Sequence, residues 1–462
     1  MIKILQGNIK NIQKPCKKMT KPRTINSSQE HLFRHRLSTQ LNPQHSLMQL
    51  AHLINWESIE KDFAELFPST TGHPPLPIRL VVGILMLQHI SGLSDEDVVK
   101  KWVENPYYQY FCGYDHFQWN LPLDPTSLVR WRKRLSTSGM DKILQSSIRA
   151  ASACGLVKPS SLKQVIVDTT VQEKAIAHPT DAKLLNGARQ KLVDLAKGQG
   201  IVLRQTYRRV ATNCAIKVGR YGHAKQFKRL GKKVKELKNY LGRVVRDIER
   251  KVGTDQVFQD LLEKSRRLLS QGKHTSKKLY SLHAPEAECI AKGKARKPYE
   301  FGCKVSLVLT HREGLVLSSS ALHGNPYDGH TLEGSLAHAT KMSGVKIDRV
   351  FVDKGYKKHG VKGAEVIMSG QRKLSFSLKR ALKRRSAIEP HIGHMKADGK
   401  LGRNHLKGIV GDRINALLTG VGHNFRLILN HLGSMFAFFA VCFFEILEEK
   451  AKLRNKILLL SF

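Results

Sequence analysis

The sequence predicts an α+β protein, with an amino-terminal all-α domain followed by an α/β domain that carries a basic helical insertion after its first strand. Three observations predict this. Residues 41–150 place apolar side chains at helical spacing, punctuated by cap signals. From residue 163 onward, short β-branched and aromatic runs bounded by turn residues read as strands. Between the first of those runs and the next, residues 187–297 read as helix, with apolar positions three and four apart.

In chain order, residues 1–40 read as a basic disordered arm. Glu30 is the one acid among the first thirty residues, and no apolar core of signal-peptide length is present. In the helical domain, residues 41–150, Pro77 precedes an apolar helix over 78–87 and Gly92 marks the turn. Ser94-x-x-Asp97 then caps a second helix. A third begins at Pro125-Thr126-Ser127. Its Leu128, Trp131 and Leu135 make a core face, which leaves Arg130, Arg132, Lys133 and Arg134 outward. Either this is a helix-turn-helix whose last helix meets DNA, or it is the solvated basic face of an ordinary bundle.

The strand at 163–169 opens the second domain, residues 160–430. Over residues 187–300 there are 29 Lys and Arg against 10 Asp and Glu. Phe227, Leu230, Val234, Leu237, Leu241, Val244, Ile248 and Val252 form a seam that demands a partner helix. Residues 255–269 or 188–218 of the same chain could supply it, or a second protomer. The outer face, with Lys225, Lys228, Arg229, Lys232, Lys233 and Lys235, suits a phosphate backbone or simply water. Residues 303–309 and 315–322 read as a hairpin turning at Gly314, and 331–342 as a helix. Strands follow at 349–353 and 366–368, then a helical region over 376–400 in which Pro390 forces a break or a fresh start. Residues 431–462 read as a helical tail.

Composition narrows the partners. With 462 residues the length favours two to three domains, and a formal charge of +41, from 78 Lys and Arg against 37 Asp and Glu, favours a polyanion. Nucleic acid leads. No run of about 20 apolar residues supports a membrane span, and the longest candidate, 432–447, reads as a packing helix. The seven cysteines are scattered without a C-x-x-C pair, which argues against a disulfide framework or a structural zinc site and for a reducing compartment.

Candidate chemistry rests on carboxylates. Gln164-Val165-Ile166-Val167-Asp168 and Arg349-Val350-Phe351-Val352-Asp353 each place an Asp after an apolar run, a strand tip that a rigid sheet would hold in water. Each is also an ordinary strand-to-turn transition. Glu389 stands in a basic helical stretch with Arg385 four residues before it and Lys396 seven after, so both cations would share its face. Ser386-x-x-Glu389 also fits a capping box. Two strand tips and one helical Glu could together hold divalent metal. His391-x-x-His394 lacks a nearby Cys or second His pair to complete a zinc site.

These residues resemble the DDE transposases of bacterial insertion sequences, in the group of IS-four/IS-five type whose signature is Tyr-x2-Arg-x3-Glu-x6-Lys. Arg385, Glu389 and Lys396 match it, while Leu382 stands at the Tyr position. The resemblance extends through Pro77-Ile78-Arg79-Leu80, Gly92-Leu93-Ser94-Asp95-Glu96, Ala177-His178-Pro179-Thr180-Asp181 and Gly324-Asn325-Pro326-Tyr327-Asp328-Gly329-His330-Thr331. It implies a ribonuclease H-like catalytic domain in which the first and fourth strands are neighbours. It also implies two Mg²⁺ ions, replaceable by Mn²⁺, held by Asp168 as the bridging ligand, Asp353 and Glu389. Arg385 and Lys396 would hold DNA phosphates, and His178, Asn325 and Asp328 would shape the site or its loops. The implied activity is binding of terminal inverted repeats, cleavage of double-stranded DNA to free 3′-hydroxyl ends and joining of these to target DNA. A homodimer on DNA, in the bacterial cytoplasm at the nucleoid, would be the working form. A noncatalytic nucleic-acid-binding protein and a stand-alone nuclease are the alternatives.

Overall fold

The computed structural model describes residues 34–64, 76–253, 255–272, 274–293 and 297–459, with side chains as far as Ser434. Most of the expected basic arm, residues 1–33, lies outside the described residues. The architecture is α+β. Described residues up to Leu156, with those from Asn424 onward, form one unit, and Val157–His423 forms the other.

The first unit is helical: α1 (Leu37–Gln40), α2 (Ser46–Leu53), α3 (Trp56–Ala64), α4 (Ile78–Ser91), α5 (Asp95–Glu104), α6 (Pro106–Phe111) and α7 (Pro125–Ala153). Helix α4 is apolar all round and buried at Ile78 and from Leu80 to His89, as a central helix must be. It stops where Gly92 adopts φ 67°, a left-handed cap that glycine takes without strain. Ser94 then caps α5 by accepting the Asp97 N–H at 3.0 Å, and Asp124 with Pro125 starts α7. Arg79 donates to the Phe111 and Tyr110 carbonyls and stacks over Trp56, which ties α4 to α3 and α6. Helix α7 is two helices joined at Ser136, whose φ of 57° and ψ of −170° break the turn.

One expectation for α7 is corrected. Arg132 does not face outward: it is 4% exposed and donates to both carboxylate oxygens of Asp95 and to the Gln88 side chain. The reason lies in helical spacing, because position 132 is four residues from Leu128 and shares its buried stripe. Arg130 and Lys133 are exposed, and Arg134 is half-buried beside the Trp131 ring.

The second unit is built on β1 (Gln164–Glu173), which is longer than expected, so that Asp168 sits in mid-strand rather than at its tip. Four helices follow: α8 (Asp181–Gly198), α9 (Arg208–His223), α10 (Phe227–Val252) and α11 (Gln256–Ser270). They bury a core of their own, in which Leu237, Leu241, Val244 and Ile248 of α10 meet Leu185, Leu192, Cys214, Phe258 and Leu262. The seam is therefore satisfied within the chain. The helices end at Ser270, and Glu288–Ala291, expected to be part of the insertion, is instead a strand, β2.

The chain continues through β3 (Tyr299–Thr310), β4 (Val316–Leu322), α12 (Asp328–Ser343), β5 (Arg349–Val352), β6 (Glu365–Met368), α13 (Phe376–Lys383), a 3₁₀ turn at Arg384–Ala387, α14 (Ile388–Ala397) and α15 (Gly408–Leu459). The sheet order is β2-β3-β1-β5-β6, with β4 also beside β3. Strands β1, β2 and β4 run antiparallel to β3, while β1, β5 and β6 run parallel. One face packs Ile166, Val305, Leu307, Leu309 and Phe351 against Ile388, Met395, Leu401 and Ala416. On the other face Ser306 of β3 meets Ser335 of α12. The expected tail is not separate at residue 431: α15 runs through it unbroken, and from Asn424 its residues cluster with the first unit.

Candidate functional site

The site begins with register. Parallel pairing of β1 with β5 matches Gln164 to Arg349, Val165 to Val350 and Ile166 to Phe351. Continued by two residues, this register sets Asp168 beside Asp353, which follows the last residue of β5 in extended conformation. Neighbouring strands lie about 4.8 Å apart. Alternation along β1 puts Asp168 on the face of Ile166, the face that α14 covers.

Both aspartates are held by the next amide. Asp168 accepts the Thr169 N–H at 2.8 Å and Asp353 the Lys354 N–H at 2.7 Å. Asp168 is half-buried and Asp353 exposed. Burial pushes the Asp168 carboxyl above its ordinary range; the Thr169 N–H and Arg385 oppose that shift, and Asp353 adds to it. Arg385 Nη1 lies 3.9 Å from Asp168 Oδ2. The turn that carries Arg385 is pinned by its neighbour Arg384, which donates to the carbonyls of His311 and Arg312.

Glu389 is exposed in the first turn of α14, one turn beyond Arg385. Its neighbour Ile388 is fully buried in the cluster that contains Ile166 and Phe351, so the helix start is anchored over the aspartate face. The capping box does not form: Ser386 Oγ bonds back to the Lys383 carbonyl, and Ala387 stands at the N-cap. Pro390 falls in the first turn of a fresh helix, where its missing N–H would have no intrahelical partner. Lys396 Nζ lies 3.9 Å from Glu300 Oε2, so this cation is partly engaged by the protein itself.

Thr169, Lys304 and Tyr356 are the residues here that sequence reasoning missed. Thr169 Oγ1 donates to Asp328 at 3.1 Å, and Lys304 Nζ bonds Asp328 at 3.0 Å and the Pro326 carbonyl at 2.7 Å. Asp328 thereby fastens the start of α12 to β1 and β3. Tyr356 is buried beside Asp168, Asp328 and Asp353, and its hydroxyl is pushed far up, first by burial. A lysine inside an otherwise apolar strand was the available signal for Lys304. His178 packs edge-on to Phe301, and Asn325 turns the chain with φ 45°. His391 faces His423 and His394 pairs with Asp398, so the two do not converge.

Among the described residues, no single helix is long and apolar enough to cross a membrane. Residues 35–134 match the family model described as Transposase domain (DUF772). The chain is 45% identical over 207 residues to the "Uncharacterized protein ORF8 in nfe locus" of Rhizobium meliloti, an alignment that covers 45% of this chain and all of that protein. No solved structure matches the chain. The chain therefore belongs to one family with the Rhizobium meliloti protein, and its own residues 35–134 are similar to a transposase domain.

Proposed function

We propose that this protein is a DDE transposase of the IS-four/IS-five type that cuts DNA at the ends of its element and joins the freed 3′-hydroxyls to a target. The observation that carries the reading is the β1–β5 register, which supports a side-by-side pair of carboxylates, Asp168 and Asp353, under the helix that bears Glu389. The sheet order, with an antiparallel β4-β3-β1 half and a parallel β1-β5-β6 half, supports a ribonuclease H-like catalytic domain.

The donor set fits Mg²⁺. Carboxylates offer the hard oxygen ligands that Mg²⁺ takes, and Arg385, at 3.9 Å, offsets the charge of Asp168 only in part. Asp168, Asp353 and Glu389 would hold the ions. When bound, such ions activate an attacking oxygen and neutralise charge on the leaving one. The chain's own part is positional. Arg385, at the rim and already turned toward Asp168, orients a DNA phosphate through a guanidinium that matches two phosphate oxygens. Lys396 and Lys292, the latter within the electrostatic reach of Asp168, add cationic guidance along the backbone. Arg130, Lys133 and Arg134 of α7 contact DNA phosphates, while Arg132, committed to Asp95, does not. The protein works as a dimer on DNA because two element ends must be held together.

The test is cleavage and strand transfer on DNA carrying the inverted repeats that flank the gene. Asp168→Asn, Asp353→Asn and Glu389→Gln are each expected to abolish Mg²⁺-dependent cleavage, by at least about a hundredfold for loss of a charge-stabilising group, while end binding persists. Retained cleavage in all three variants sinks the reading. Cleavage without joining would instead indicate a stand-alone nuclease.

A further inference from the structure

A second group of ligand-type side chains lies four residues along β1 from Asp168, roughly 13 Å away at strand rise. Cys303 pairs with Gln172 across β1 and β3. The Cys303 Sγ, a nitrogen of His323 and a carboxylate oxygen of Asp412 all lie within 4.8 Å of one another. They come from β3, the residue after β4, and the beginning of α15. Cys303 is 0% exposed and Asp412 2%.

Hydrogen bonding leaves this cluster unfinished on one side. Asp412 Oδ1 accepts from Lys174 Nζ at 2.8 Å and Asn404 Nδ2 at 2.6 Å, which leaves Oδ2 toward His323 Nε2 at 3.5 Å. His323 Nδ1 lies 3.5 Å from Glu288 Oε1, which accepts the Gly324 N–H. Both His323 Nε2 and Glu288 Oε2 are buried without a hydrogen-bond partner, a state that costs about 1–3 kcal/mol per group.

Charge is unfinished too. Lys174, itself 7% exposed, bridges Glu286 at 2.6 Å and Asp412 at 2.8 Å. Two carboxylates thus share one lysine. Buried carboxylates in excess of their cations are unfavourable unless something neutralises them.

We propose that Cys303, His323 and Asp412 form a three-ligand site for a divalent transition ion of the zinc type, with Glu288 holding the imidazole from its other nitrogen, Nδ1. A sulfur, an imidazole and carboxylate oxygens suit zinc, whereas magnesium takes oxygen donors only. Burial, followed by Asp412 and Glu288, pushes the Cys303 thiol up, so binding expels a proton that the free site retains. The ion ties β3, the end of β4 and the start of α15 together at the end of the sheet away from the paired aspartates. It is a site separate from theirs.

The test uses the full chain, stripped with a chelator and titrated with Co²⁺ alone. Stoichiometric binding is expected, with a thiolate-to-cobalt charge-transfer absorption that Zn²⁺ abolishes by displacement. Cys303→Ser is expected to lose that absorption. Cys289→Ser, and the Asp168→Asn/Asp353→Asn double variant, are expected to keep it. Zinc is expected to raise the Tm of the wild type and leave that of Cys303→Ser unmoved. Absence of a thiolate band in the wild type overturns the site. Persistence of the band in Cys303→Ser overturns it as well. Should Cys303→Ser fail to fold, the wild-type spectrum decides alone.

Discussion

Asp168 carries opposing demands, because the burial that places it also raises its carboxyl above the ordinary value of 3.8. A carboxyl with a raised folded pKa stabilises the fold where it is protonated, below the unfolded value, and that contribution is lost as pH rises through the folded pKa. At pH 7 the ionised group therefore works against folding. Asp168→Asn is expected to raise Tm at pH 7, with the gap from wild type closing as the pH falls below the unfolded value; a lowered Tm at pH 7 would show that the contact with Arg385 outweighs burial. Mg²⁺ is expected to stabilise the wild type and not this variant. Gly302 is a second residue with little latitude. It lies between Glu173 of β1 and Glu288 of β2, and a Cβ there would meet the Gln172 carbonyl oxygen at 1.9 Å. Backbone cannot yield as a flexible side chain can, so Gly302→Ala is expected to cost about 1–3 kcal/mol or more in denaturant unfolding.

At the level of elements, α7 and the four-helix insertion make separate claims. Ser136 is held at φ 57° and ψ −170°, a region close to one that only glycine occupies readily and that costs on the order of 1–3 kcal/mol for other residues. Ser136→Gly is expected to stabilise the chain by about 1 kcal/mol in thermal or denaturant unfolding. A loss of stability would mean that the bond between its hydroxyl and that of Ser138 matters more than the strain. The insertion buries a core distinct from that of the sheet. Residues 181–282 expressed alone are expected to show helical circular dichroism and a cooperative melt, and Leu241→Ala, at a fully buried position of α10, to lower its stability by about 2–5 kcal/mol. A gradual, non-cooperative melt of the excised segment would show that it depends on the rest of the chain.

For the whole molecule the governing quantity is its charge of +41. Lys225, Lys228, Arg229, Lys232 and Lys235 are exposed at and beyond the start of α10, whereas Lys233 pairs with Glu236 at 2.7 Å. Binding to duplex DNA should weaken steeply with salt, because each phosphate neutralised releases counterions. Lys228→Glu with Lys232→Glu is expected to flatten the log K against log salt slope by about 0.9 per lost contact. An unchanged slope would place the DNA elsewhere and leave this face to solvent.

Features with local causes were legible in the chain. Gly92, the Ser94 cap, Pro125 and the fresh helix start near Pro390 each act through hydrogen bonds or sterics within one or two turns, so their residue types announce them. The seam of α10 announced that a partner existed but not which one, since apolar periodicity carries no address. The inward turn of Arg132 is not legible, because outward and inward positions on a helix differ by one residue and the acid that draws it in, Asp95, is far away in sequence. Strand β2 is not legible in the chain, because four residues with a charged lead carry too little periodicity. By itself, then, the sequence determined the α+β class, the basic surface and the carboxylates worth watching. Tertiary structure decided that Asp168 lies beside Asp353, and that Cys303, His323 and Asp412 meet, because strand register and helix packing join residues that no spacing rule connects.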